Sequence, residues 1–313
     1  MPVETNLTNV SLRSTNVSDK QWLSLDEWNQ LSGLEPPQRF DNGWGATFRS
    51  RIPSGVLSIT SGSRVGYWNG LVVALGFVPR LTNGHVFLHA LDLTKNLSPL
   101  LSLHGLTVKP PRVVVIDPGH GGKETGSTSV LNSGFEKDYT LDWALRVKPL
   151  LQSNGWKVLL TRASDVHVSL LERVHFAERA KADLFVSLHF NSVDSPSSRS
   201  EHFGVETYCL TPTGMPSNLT RNYKDNPAEV FPNNAFDAQN FQFAVRLHRA
   251  IIQFTGRTDR GIRRARFMVV LREQNRPAVL LEAGYMSDPE EARLIASAGY
   301  RQKLAEAVAM ALE

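Results

Sequence analysis

Arg112-Val113-Val114-Val115-Ile116-Asp117-Pro118-Gly119-His120-Gly121-Gly122 is the stretch that decides the fold. Its first half is an unbroken β-branched run, the signature of a strand buried on both faces of a parallel sheet. Its second half turns sharply and carries a histidine among glycines. Downstream, helix and strand patterns alternate. Asp138–Ser153 reads as an amphipathic helix with Leu141, Leu145 and Leu150 inward, kinked at Pro149 and stopped by Asn154-Gly155. Lys157–Thr161 reads as a strand, and Ser169–Lys181 as a helix opened by a Ser169-x-x-Glu172 capping box. Strands are expected at Leu184–His189, Val205–Leu210, Arg266–Leu271 and Ala278–Glu282, with a helix at Phe236–Phe254. Ser287-Asp288-Pro289-Glu290-Glu291 starts the helical carboxyl end. Alternating strands and helices predict an α/β domain, a three-layer sandwich around a mostly parallel central sheet. Thr211–Asn234, rich in proline and asparagine, is expected to be a long loop, and loops of that length inside a compact domain are usually functional or mobile.

Upstream the pattern differs. Residues 1–20 read as a flexible tail, and 21–108 as a small, mainly β module. Ser24 caps a short helix, and β-type runs come next at Ala46–Arg51, Val56–Thr60, Arg64–Trp68, Leu71–Leu75 and His85–Leu88. Asn69-Gly70 and Asn83-Gly84 mark tight turns. Lys109-Pro110-Pro111 forms a stiff junction, so the second domain is expected over 109–313.

Composition narrows the class. With 313 residues, 41% hydrophobic, the chain can bury a substantial core, which excludes a wholly disordered protein. No apolar run approaches the roughly 18–20 residues of a membrane span. A single cysteine, Cys209, excludes an internal disulfide framework. The net charge of +4 is weak, so nucleic acid is not an expected partner. There is no phosphate loop and no Gly-x-Ser-x-Gly elbow.

Ligands of open α/β sheets bind at the carboxyl ends of strands. His120 lies just beyond the first strand, His189 ends another, and Glu282 ends a third. Glu136 closes the first crossover just before its helix. His120, Glu136 and His189 would make a His2Glu set of the kind that catalytic zinc takes, leaving one position for water. Glu282 is then the candidate carboxylate to move the proton. Each residue alone has an ordinary reading: a hydrogen-bonded rim histidine, a solvated acid at a helix start, a buried salt-bridge partner. The spacing is long and matches no short metal signature. Only the shared sheet edge makes a zinc hydrolase the sharper reading.

Motifs in sequence add to this. Val-Val-Ile-Asp-Pro-Gly-His-Gly-Gly (114–122), Glu-Lys-Asp-Tyr-Thr-Leu (136–141), Leu-Thr-Arg-Ala-Ser-Asp (160–165) and Leu-x-x-Arg (170–173) come first. Ala-Asp-Leu-Phe-Val-Ser-Leu-His-Phe-Asn-Ser (182–192), Gly-Val-Glu-Thr-Tyr (204–208) and Pro-Ala-Val-Leu-Leu-Glu-Ala-Gly-Tyr-Met-Ser (277–287) complete the set. Together they make the chain from Arg112 to Leu312 resemble the zinc-dependent N-acetylmuramoyl-L-alanine amidases of the AmiC/CwlV type. The resemblance implies one Zn2+ on His120, Glu136 and His189, with Glu282 as acid/base. It implies as substrate the amide between the lactyl group of N-acetylmuramic acid and L-alanine in peptidoglycan. Glu206, Asn191 and Arg263 are candidate substrate-binding residues. Glu206 alternatively faces solvent in its strand, and Arg263, with Arg260 near an Asp259-Arg260-Gly261 turn, alternatively serves the surface. The competing readings are a catalytically silent wall-binding adaptor and a zinc hydrolase of another peptide amide.

The chain departs from the family at Ala177-Glu178, where relatives usually have asparagine after alanine. The 21–108 module resembles copper-amine-oxidase-type amino-terminal or stalk domains, which implies no copper site and suggests wall binding or spacing. Met1–Lys20 holds no apolar leader segment, yet a wall amidase works outside the cell. The expectation is an exported monomer whose leader was trimmed or lies outside this sequence.

Overall fold

The computed structural model describes residues 21–41, 45–110, 112–131, 133–193 and 202–313. The expected tail at 1–20 lies outside them. The chain forms two compact units that divide between His104 and Gly105.

The first unit is built from short antiparallel strands. β1 (Trp22–Ser24) leads into α1 (Leu25–Leu31), where the Ser24 hydroxyl accepts the Glu27 amide at 3.1 Å. β2 (Gln38–Asp41), β3 (Ala46–Ile52), β4 (Gly55–Thr60), β5 (Val65–Trp68) and β6 (Leu71–Ala74) pair in sequence as a meander. β7 (Arg80–Thr82) and β8 (His85–His89) form a hairpin that β1 extends. Both Asn-Gly turns fall where the sequence puts them, opposing Trp68 to Leu71 and Thr82 to His85. The unit closes with α2 (Ala90–Asp92), a π-helical turn at Leu93–Leu97 and α3 (Ser98–Leu101). Leu23, Trp28, Ile59, Trp68 and Val73 fill its core.

The second unit is the α/β domain. Its elements begin with β9 (Arg112–Pro118), α4 (Glu136–Ser153), β10 (Trp156–Leu160), α5 (Leu170–Arg179), β11 (Leu184–Asn191) and β12 (Val205–Leu210). Next come α6 (Asp237–Thr255), β13 (Asp259–Ala265), α7 (Val269–Arg272), β14 (Ala278–Tyr285), α8 (Pro289–Ala296) and α9 (Ala298–Ala311). The strand order is β10-β9-β11-β14-β12-β13, parallel throughout except for the β12–β14 pair. α4 and α6 pack on one face of the sheet, with α9 against both of them. α5 and α7 lie on the other face, over a core that includes Val115, Phe185, Tyr208 and Leu280. Among the described residues no helix is long and apolar enough to cross a membrane.

Three local expectations are corrected. The buried apolar stripe of α4 is Trp143, Ala144, Val147 and Leu151, whereas Leu145 is 45% exposed. The apolar run at Arg266–Leu271 is not a strand: it supplies a turn and the short α7. The strand lies just before it, so Arg260 and Arg263 sit in β13 rather than beside a turn. Arginines hid this strand from a hydropathy reading: Arg264 is buried and donates to the Leu210 carbonyl of β12, and Arg266, just beyond the strand, is buried and donates to the loop carbonyls of Pro212 and Met215.

Candidate active site

The site forms at the carboxyl ends of β9, β11 and β14. Asp117, the penultimate residue of β9, is buried and accepts from Thr161 Oγ1 at 2.5 Å, Ser187 Oγ at 2.7 Å and Arg173 at 2.5 Å. Burial pushes its carboxyl up, but the Arg173 charge and these hydrogen bonds outweigh it and hold the group below the usual range. Arg173 also donates to the carbonyls of Pro118 and His120 at 2.8 and 2.7 Å. Arg162 donates to those of Pro118 and Gly119 at 3.0 and 2.8 Å. Two arginines therefore clamp the backbone that carries His120, which holds a left-handed φ of 60°. The motifs containing Arg162 and Arg173 were legible, but their bracing role was not, because it depends on carbonyls brought close only by the fold.

Glu136 is the first residue of α4 and is 3% exposed. His120 Nε2 lies 3.1 Å from its Oε2, and His189 Nδ1 lies 2.9 Å from its Oε1. The Ser127 and Phe190 amides donate to the same carboxylate at 2.9 and 3.1 Å. Burial would raise its proton affinity, but the hydrogen bonds and charges of the two histidines drive it far below the usual carboxylate range. The three side chains bring their donor atoms within 4.8 Å of one another. Two imidazole nitrogens and one ionised carboxylate oxygen, converging from three segments, fit zinc. The surrounding backbone is fitted to this cluster: a Cβ at Gly126 would lie 2.6 Å from Glu136 Oε2 and 2.7 Å from His120 Cδ2.

Glu282 stands in register with His189 of β11 on one side and Glu206 of β12 on the other. It is 6% exposed, and its buried Oε2 has no hydrogen-bond partner among the described residues. Burial first, and the charge of Glu136 next, push its carboxyl well above the usual range, with Arg221 opposing. Glu282 and the three candidate metal donors line one cavity of about 1080 Å³, which Asn191 and Arg221 also line.

The other expected residues fall in two places. Asn191 is at the cavity wall. Glu206 is buried behind it, accepting from Asn191 at 3.1 Å, Tyr208 at 2.6 Å and Arg260 at 2.9 Å, with Arg263 at 3.3 Å. Burial would raise the Glu206 carboxyl, but Arg263, Tyr208 and Arg260 hold it below the usual range. Glu206 and Arg263 are thus paired with each other beneath the cleft. His248 is buried between Thr207 and Asp259, and Cys209 is buried in β12. Arg221, on the 211–234 loop, was not singled out by the sequence; only its place in a proline-broken loop hinted at it.

Chemically this is a hydrolase's arrangement, with donors for one divalent ion beside a carboxyl able to carry a proton. Known proteins resemble this chain. Residues 114–313 match the family Amidase_3, described as N-acetylmuramoyl-L-alanine amidase. The amidase AmiA of Escherichia coli K12 is 32% identical over 219 residues, covering 63% of this chain and 74% of that protein. LytC of Bacillus subtilis, also an N-acetylmuramoyl-L-alanine amidase, is 32% identical over 195 residues, 62% of this chain and 34% of that protein. The catalytic domain of CwlV from Bacillus (Paenibacillus) polymyxa var. colistinus superposes with a TM-score of 0.52 at 34% identity, over 64% of this chain and 96% of that one. The chain belongs to the Amidase_3 family of N-acetylmuramoyl-L-alanine amidases.

Proposed function

We propose that this protein is a zinc-dependent peptidoglycan hydrolase that cuts the amide between the lactyl group of N-acetylmuramic acid and L-alanine of the stem peptide. His120, Glu136 and His189 would hold one zinc per chain. A zinc bound there supplies a lowered pKa for the attacking water and a polarised scissile carbonyl. The rest is the work of this chain's residues. The Glu282 carboxylate takes a proton from the water as the new C–O bond forms. It then passes that proton to the amide nitrogen as the C–N bond breaks. The products are the lactyl carboxylate and a peptide with a free L-alanine amino group.

The observation that carries this reading is the buried Glu282 Oε2 without a hydrogen-bond partner among the described residues, in register with His189. An unsatisfied buried carboxyl costs stability, and a silent adaptor has no use for one. Asn191 lies at the cavity wall, backed by Glu206 and Arg263, which makes these residues supports of the substrate cleft. In this reading the protein is exported and acts as a monomer on the wall polymer, and the first unit spaces or tethers the second.

The test is a defined muramoyl-peptide incubated with zinc-loaded protein. Mass spectrometry is expected to find the free stem peptide and the intact muramic acid, with neither formed after chelation. Cleavage at a different amide would overturn the substrate assignment in favour of another peptide hydrolase.

A further inference from the structure

The 211–234 loop is long but firmly moored. Arg266 donates to the carbonyls of Pro212 and Met215 at 2.7 and 2.6 Å and pairs with Asp225 at 2.8 Å. Asn218 and Arg264 exchange two hydrogen bonds of 2.8 Å, the Asn218 amide to the Arg264 carbonyl and the Arg264 amide to Asn218 Oδ1. Between these moorings Arg221 takes a φ of 48°, a left-handed backbone that side chains of its size rarely adopt. Such outliers cluster at functional sites.

Arg221 is exposed and lines the same cavity as Glu282 and the candidate zinc donors. Its guanidinium lies over the Phe267 ring, 5.3 Å from the centroid, and donates to Asn191 Oδ1 at 3.3 Å. Asn191 is fixed in turn by Glu206, which Arg260 and Arg263 hold. The half-buried Arg260 and Arg263, through buried Glu206 and Asn191, therefore lead to one cation at the cleft. A guanidinium has five N–H donors, and only one bond to a described residue is made here. Its natural ligand is a carboxylate, gripped by two parallel hydrogen bonds.

Position says which carboxylate. Asn191 lies two residues beyond His189 on β11, roughly 6–7 Å along a strand. One extended residue spans about 3.5 Å, so the carboxyl of the second stem residue falls at about that distance from the scissile carbon. We propose that Arg221 is a specificity-determining residue that selects stem peptides whose second residue, one past the scissile amide, carries a free carboxylate rather than a carboxamide. This rests on the amidase reading above.

The test uses the full chain, zinc-loaded and carrying Glu282→Gln so that ligands persist. Muramoyl-tripeptides with the free acid or the amide at the second residue are titrated by calorimetry. The acid is expected to bind at least about tenfold more tightly, as charge-assisted hydrogen bonds allow. Adding Arg221→Ala is expected to abolish that preference while leaving amide binding intact, which also shows the variant is folded. Arg221→Lys should keep part of it. Lys123→Ala, at another exposed cation of the cavity, should leave it unchanged. Equal binding of acid and amide, a preference that survives Arg221→Ala, or one lost with Lys123 would overturn the assignment of Arg221. Failure of both peptides to bind would instead strike the amidase reading and this inference with it.

Discussion

Glu136 and Glu282 are both buried acids of one site, yet their proton affinities move in opposite directions. Two histidines and two backbone amides keep Glu136 ionised, as a metal donor must be. Glu282 has no such partners and feels burial and the charge of Glu136, which raise its proton affinity, as suits a carboxylate that takes a proton from water and passes it on. Glu282→Gln is therefore expected to retain stoichiometric zinc by elemental analysis while turnover falls by about 10²–10⁴-fold. His189→Ala is expected to lose the zinc itself. Asp117 gives a separate test through stability. Removing it strands Arg173 in the core, so Asp117→Ala should cost about 3–5 kcal/mol in urea unfolding at pH 7. Its folded-state pKa lies below the ordinary 3.8, so the stability it confers is present above that value and lost as pH falls through the lower folded one. The deficit of the variant should accordingly shrink on acidification below about pH 3.8. The residues of this site were legible because each lies at the end of a recognisable strand or the start of a recognisable helix. Its bracing was not, since the bonds of Arg162 and Arg173 link segments far apart in sequence.

Elements with plain periodicity were equally legible: β9, β11, β12 and β14 fall within a few residues of their expected places. Errors arose where burial and hydropathy part company. α4 carries leucines on a half-exposed side and buries Trp143 and Val147, so leucine spacing alone chose the wrong face. Val147→Ala should cost about 2–3 kcal/mol, from two lost methyl groups and the space they leave. Leu145→Ala should change stability by less than about 0.5 kcal/mol. Equilibrium unfolding of the two variants decides which side faces the sheet. In β13 the charges conceal a strand, because Arg260 and Arg263 pair with buried Glu206. The loop after β12 is irregular as expected, but its moorings come from Arg264 and Arg266, whose contacts with it only the fold creates.

At the scale of the whole molecule, every site residue lies in the second compact unit, Gly105–Glu313. A fragment of those residues is expected to bind one zinc and cleave soluble muramoyl-peptides at a rate close to that of the full chain. Assaying both on the same substrate checks it, and any loss confined to insoluble wall would locate the contribution of the first unit. Substrate identity is the part that no residue pattern supplied; it came through family resemblance, because zinc, water and a glutamate serve many amides. The most direct measurement is therefore on the polymer itself. Purified sacculi are digested with zinc-loaded protein, with Glu282→Gln as control, and new amino termini are labelled and identified. The expected result is L-alanine, appearing only with the unsubstituted protein. A zinc-replete enzyme that exposes no new L-alanine terminus, or exposes a different residue, would contradict the assignment.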